Sequence, residues 1–156
     1  MVALSKKTDY AIIALAHMAR TPGRLCSARE IASAYHMPTA LLMNVLKTMT
    51  QSELVRSIRG AKGGYSLALP ADRITVADII AAVEGPIRFV QCVGADSESA
   101  EGCRLVGLCP VARPVHKVHA RLREFLKQVT LADIAHDEAF GTSTAAAHEA
   151  AAMKME

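Results

Sequence analysis

Three thiols dominate the chemistry open to this chain. Cys92, Cys103 and Cys109 are separated by ten and by five residues, in a stretch from Ile87 to Cys109 that is rich in Gly, Ser and acids and lacks periodicity. Thiolates are the usual holders of iron–sulfur centres, and a loop can bring three of them together. A structural zinc favours four ligands with close pairs such as C-x2-C, and no such pair occurs here. Zinc, unconnected thiols and a redox pair stay open beside the iron–sulfur reading. Cys26 stands apart, just ahead of a helix start, where a small buried hydrophobe fits. Nothing points to an enzyme: there is no C-x-x-C pair, no phosphate-cradling loop and no spacing suited to a catalytic triad.

A second kind of chemistry lies in the cations. Residues 1–70 carry nine Lys/Arg against three Asp/Glu, whereas residues 71–156 carry nine against twelve. The basic half is the half suited to a polyanion. Within it, Arg56, Arg59 and Lys62 surround a glycine-rich tip, Gly60-Ala61-Lys62-Gly63-Gly64. Three cations and a glycine turn have no purpose in a core.

The elements that must position these groups can be read from periodicity. Apolar residues recur at helical spacing from Thr8 to Arg20, and Thr21-Pro22-Gly23 closes that segment. Ser27-Ala28-Arg29-Glu30 has the form of a capping box and predicts a helix to about Tyr35. His36-Met37-Pro38 breaks it, and a longer helix follows from Thr39 to about Ser52, with Leu41, Leu42, Val45, Leu46 and Met49 inward. Short helix, turn and longer helix make a helix-turn-helix plan. Leu54–Arg59 and Tyr65–Leu69 then alternate as two strands of a hairpin, which makes the glycine tip a wing. On the outward face of the second helix lie Thr39, Ala40, Met43, Asn44 and Lys47. Asn44 can pair bidentately with adenine, Met43 and Ala40 can touch thymine methyls, and Lys47 suits a phosphate.

Thr75 to Val83 predicts another short helix, closed by Gly85-Pro86. From Pro110 to about Val129 the residues Val111, Val115, Val118, Leu122, Phe125 and Val129 step by four and three in turn, a narrow seam of the kind two helices share. The expected organisation is a winged helix-turn-helix domain over 1–86, a cysteine-bearing loop over 87–109, a dimerisation helix and following segment over 110–136, and a flexible Ala-rich tail over 137–156. The fold class is mainly α with a small β-hairpin. No apolar run approaches the roughly 20 residues needed to cross a bilayer, and Met1–Tyr10 lacks a signal peptide's apolar stretch. A cytoplasmic protein is expected.

With these residues in view, the sequence resembles the IscR/NsrR-type bacterial winged-helix regulators over about residues 1–135. The carriers are Lys7-Thr8-Asp9-Tyr10-Ala11, the wing string Leu54 to Tyr65 (LVRSIRGAKGGY), Thr75-Val76-Ala77-Asp78-Ile79-Ile80 and Thr130-Leu131-Ala132-Asp133-Ile134. The resemblance implies a homodimer crossed by the long helix, a two-fold operator in double-stranded DNA, and an iron–sulfur cluster that decides DNA binding. It implies that Arg59 enters the minor groove, with Lys62 and Tyr65 near the backbone. The set expected to contact DNA is therefore Ser27, Thr39, Ala40, Met43, Asn44, Lys47, Arg56, Arg59, Lys62, Gly63 and Tyr65.

For the metal, the resemblance implies Cys92, Cys103 and Cys109 as ligands. The ten-residue gap is longer than the family's usual first spacing, which a loop absorbs for well under about 1 kcal/mol. In the IscR-like branch the fourth ligand is a histidine three residues beyond the last cysteine, and here that position is Ala112. In the NsrR-like branch it is an aspartate in the first helix of the partner subunit, which Asp9 matches; His116 and His119 are further donors. The resemblance thus favours a [4Fe-4S] over a [2Fe-2S] cluster and nitric oxide as effector, with an iron-status sensor or a cluster-free thiol-redox repressor as alternatives.

Overall fold

The computed structural model describes residues 4–60, 62–88 and 108–136. Cys92 and Cys103, most of the expected cysteine loop and the expected tail over 137–156 lie outside the described residues.

Helix α1 (Lys6–Arg20) starts two residues ahead of the periodic segment. Its N-cap Ser5 offers no side-chain acceptor to the first turn. The start is held from outside: the Ser5 N–H and the Thr8 hydroxyl both donate to Glu84 Oε1, at 3.1 and 2.5 Å. Those bonds hold the Glu84 carboxyl below its ordinary range. Helix α2 (Ala28–Ala34) begins at Ser27, whose hydroxyl accepts from the Glu30 N–H at 3.1 Å. The expected capping box is only half made, because the Glu30 carboxylate turns to Arg24 Nη2 at 2.8 Å instead of reaching back to the cap.

His36 takes a left-handed φ of 52° and Met37 is buried, which pins the turn into α3 (Thr39–Gln51). Leu42, Val45, Leu46 and Met49 are buried as the helical spacing predicts, while Leu41 is only half-buried. Strands β1 (Val55–Ile58) and β2 (Gly64–Leu67) pair antiparallel, with Arg56 opposite Ser66 and Ser57 opposite Tyr65. The expected in–out alternation stops at once. Leu54 and Val55 are both buried, and Arg56, Ser57, Ile58 and Arg59 are all exposed. Beyond Val55 strand β1 runs past the core, while Tyr65 and Leu67 of β2 stay half-buried against it.

Pro70 leads into a 3-10 turn (Ala71–Arg73), followed by α4 (Val76–Glu84), which ends at Gly85 with φ 84°. Helix α5 (Ala112–Gln128) begins two residues after the proline at 110, and α6 (Leu131–Ala135) follows. Two copies of one device meet here. Thr75 and Thr130 each accept from the N–H of an aspartate three residues on, Asp78 and Asp133, whose carboxylates accept from the threonine N–H in return. The two helix starts also pair with each other, Val76 N–H to Val129 O at 2.9 Å and Leu131 N–H to Ile74 O at 2.7 Å.

One aliphatic core joins these pieces. Leu15 and Met18 of α1, Ile31 of α2, Leu42, Leu46 and Met49 of α3 and Ile79 of α4 share it with Leu131 and Ala135 of α6. Arg20 Nε donates to Ala135 O at 2.9 Å and ties α6 to the end of α1. Helix α5 packs on α4, and His119 is its one buried residue among those described.

Candidate nucleic-acid interface

The N-terminus of α3 presents free donors. Its N-cap is Pro38, which has no side-chain acceptor, and no acid stands in its first turn. Unsatisfied first-turn amides and the positive end of the helix dipole favour an anion there. Beside them, Thr39, Ala40, Met43, Asn44 and Lys47 are all exposed, Met43 to 51%. Four buried side chains on the opposite face hold this surface rigid. Among the described residues, no hydrogen bond engages the Asn44 amide, so its donor and acceptor are both open to a base edge.

The wing adds Arg56, Arg59 and Lys62, all exposed. Among the described residues the one ion pair is Arg24–Glu30, so these cations and Lys47 have no carboxylate partner. Positive charge left unpaired on two neighbouring elements is suited to a phosphate backbone. Gly63 closes the tip through its N–H to Gly60 O at 2.9 Å, and a Cβ there would collide with the Ile58 carbonyl oxygen. The wing's root is fastened by a feature that alternation does not show. Cys26 and Tyr65 exchange both backbone hydrogen bonds, at 2.9 and 2.8 Å. A side chain on Gly64 would come within 2.9 Å of Cys26 O, so that close approach requires glycine. Tyr65 is therefore half-buried at the wing's base, and Ser27, exposed, begins α2 next to the same bridge.

The expected metal ligands divide. Asp9 is exposed in the first turn of α1, and Cys109 is a free, half-buried thiol just ahead of α5. Among the described residues, Asp9 and Cys109 belong to no common group of possible ligands in the single chain. His116 is exposed. His119 is buried against α4 near Asp78, and burial first, then the charges of Arg123 and His116, hold its imidazole below the ordinary range. The reading of Cys26 as a buried small residue agrees with its complete burial. Spacing gave no sign of its neighbours, His17 and Glu30, because the three come from separate elements.

A helix-turn-helix whose second helix and following hairpin both expose cations defines a winged-helix DNA-binding protein. Comparison with known proteins agrees: residues 4–137 match the Rrf2 family, described as iron-dependent transcriptional regulators, and the chain belongs to that family. Its members are transcriptional regulators that bind DNA, and they are not enzymes. Rv1287 of Mycobacterium tuberculosis (strain ATCC 25618 / H37Rv), which carries the name of an HTH-type transcriptional regulator, is 32% identical over 133 residues, 85% of this chain and 80% of its own length. The fold is similar to that of CymR, the global cysteine regulator of B. subtilis, at a TM-score of 0.70 and 29% identity over 86% of this chain and 97% of that one. It is likewise similar to T. potens IscR, at a TM-score of 0.65 and 29% identity over 87% and 88%. No helix among the described residues is long and apolar enough to cross a membrane.

Proposed function

We propose that this chain is a homodimeric repressor whose grip on a two-fold operator is set by an iron–sulfur cluster responsive to nitric oxide or redox stress. The observation that carries the dimer is α5. Val111, Val118 and Phe125, seven residues apart, are 55, 50 and 49% exposed. Heptad-spaced apolar side chains are buried well by a second helix of the same kind. A dimer would set two copies of α3 into successive major grooves, about 34–36 Å apart. In each copy Asn44, Met43 and Ala40 read base edges. Lys47 and Arg56 with Lys62, Gly63 and Tyr65 hold the backbone, Ser27 and Thr39 add donors at the helix starts, and Arg59 reaches the minor groove.

The donor set fits a cluster as far as it is described. Cys109 is a free thiol at the foot of the exposed stripe, and Asp9 is an unburied carboxylate available to a second copy of the chain. Cys92 and Cys103 would complete three thiolates, with [4Fe-4S] preferred because the histidine alternative is replaced by Ala112. When bound, the group would supply iron–sulfur bonds that nitric oxide and oxidants attack. Cys109 would then fix the start of α5, and Asp9 the first turn of α1, relative to each other across the dimer. Freeing both would relax the spacing of the recognition helices. A coupling of about 1–3 kcal/mol shifts affinity roughly 5- to 150-fold, enough for a switch.

The test is anaerobic purification with iron, sulfide and subunit mass measured together, followed by operator binding before and after nitric oxide. Expected are a dimer, a cluster, and a fall in affinity on its loss. A dimer that binds iron and sulfide and holds DNA equally after losing them ends the sensing reading. Iron-free protein whose DNA affinity responds to thiol oxidation points to a thiol-redox repressor.

A further inference from the structure

A second possible ligand set joins α1 to the start of α2. A ring nitrogen of His17 on α1, Sγ of Cys26 and a carboxylate oxygen of Glu30 on α2 all lie within 4.8 Å of one another. Cys26 is fully buried, and His17 and Glu30 are half-buried. The His17 ring is only partly satisfied. Nδ1 lies 3.1 Å from the Tyr35 hydroxyl, with the two rings edge to face, while Nε2 is buried and has no hydrogen-bond partner among the described residues. Buried polar atoms are seldom left unpaired, and an absent ion is one standard reason when they are.

From these contacts we propose that His17, Cys26 and Glu30 bind one exchangeable divalent cation of the zinc class. The ligand types are those zinc takes, one thiolate, one imidazole and one carboxylate, with the fourth position left to solvent. Around one tetrahedral ion such ligand atoms lie about 3.3–3.6 Å apart, so the cluster would contract on binding from separations of up to 4.8 Å. Donation from His17 Nδ1–H to Tyr35 would leave the Nε2 lone pair free for the cation, the arrangement by which an outer partner fixes a histidine ligand. Arg24 now pairs with Glu30, but its side chain is 61% exposed and such a pair is readily exchanged. On binding, the Cys26 thiol would give its proton to solvent, and a sulfur–metal bond would replace the weak 3.5 Å contact with Thr21 Oγ1. Since Cys26 is bridged to Tyr65, the bound ion would link α1, α2 and the root of the wing.

The experiment uses the full chain carrying Cys92→Ser, Cys103→Ser and Cys109→Ser, which removes the loop thiols and so separates this site from the cluster reading. The probe is Co2+ added anaerobically, followed by Zn2+ competition. Expected are one equivalent of cobalt bound, with a thiolate-to-cobalt charge-transfer band that zinc abolishes. Tyr35→Phe should weaken binding about tenfold, and His17→Gln or Glu30→Gln by more. The His17 and Glu30 positions are half-buried, and circular dichroism confirms that these variants fold. A loop-thiol-free protein with no such band overturns the proposal, as does a band indifferent to both His17→Gln and Glu30→Gln.

Discussion

Helices α3 and α5 both turn a long face outward, yet they are anchored in very different ways. Four side chains of α3, Leu42, Val45, Leu46 and Met49, are sunk in the core, and its outward face carries Asn44, Lys47 and no acid. Helix α5 buries one residue, His119, and its outward stripe is Val111, Val118 and Phe125. The first helix is placed before any partner arrives and waits for a charged, hydrogen-bonding surface. The second depends on whatever covers its apolar side. Rigidity belongs to the element that must read a fixed groove, and dependence on a partner to the element that could report a change of state.

The strongest way to sharpen this contrast is to remove an anchor from each helix. Leu46→Ala should cost about 2–5 kcal/mol in urea unfolding, the usual range for a truncated core leucine. Phe125→Asp should leave the unfolding of the dilute single chain within about 0.5 kcal/mol, while lowering subunit mass in sedimentation from dimer to monomer. Equal losses of stability in both would erase the distinction.

Next in size are the groove contacts. Asn44→Ala should cost about 1–3 kcal/mol of operator affinity and relax the sequence preference, whereas Lys47→Ala should weaken all sequences alike and lower the salt slope by about one. Gel shifts at several salt concentrations separate the two. Smaller again is the effect at the start of α6. Thr130→Ala should cost about 1 kcal/mol, as lost caps do. Hydrogen bonds from Thr130 hold the Asp133 carboxyl below its ordinary range. Its contribution is therefore full above about pH 4 and lost only as the pH falls further.

The smallest effect tests the one buried side chain of α5. The His119 imidazole is held low, so the unfolded chain binds its proton more readily than the fold does. Stability should decline as pH falls below about 6.5, continuing down to the folded value. His119→Gln should flatten that limb of a thermal-melting series, and an unchanged limb would mean that the ring is not desolvated by α4.

The order of elements was legible because each has a local signature. The apolar spacing of α3 and the glycines of the wing tip depend on residues close in sequence, and four of the five inward positions of α3, all but Leu41, are buried as read. Legibility failed where a side chain had a competing partner or its contacts came from far along the chain. Ser27 and Glu30 have the spacing of a capping box, but Arg24 claims the carboxylate. Leu54 to Arg59 has an alternating pattern, but β1 leaves the core after Val55. At the site, the cations and Asn44 were visible from their place on a helix face and a turn. The Cys26–Tyr65 bridge, the Glu84 cap on α1 and the meeting of His17 with Cys26 and Glu30 all need the tertiary fold, and no spacing rule announces them.

The twin threonine–aspartate starts of α4 and α6 act as a clasp. The chain departs beyond Gly85 and returns at Thr130 to lie beside the residue where α4 began. The start of α6 is thus riveted to the start of α4. The other end of α4, Glu84, is joined in turn to the first turn of α1. One helix therefore fastens two distant starts, that of α6 at its front and that of α1 at its rear.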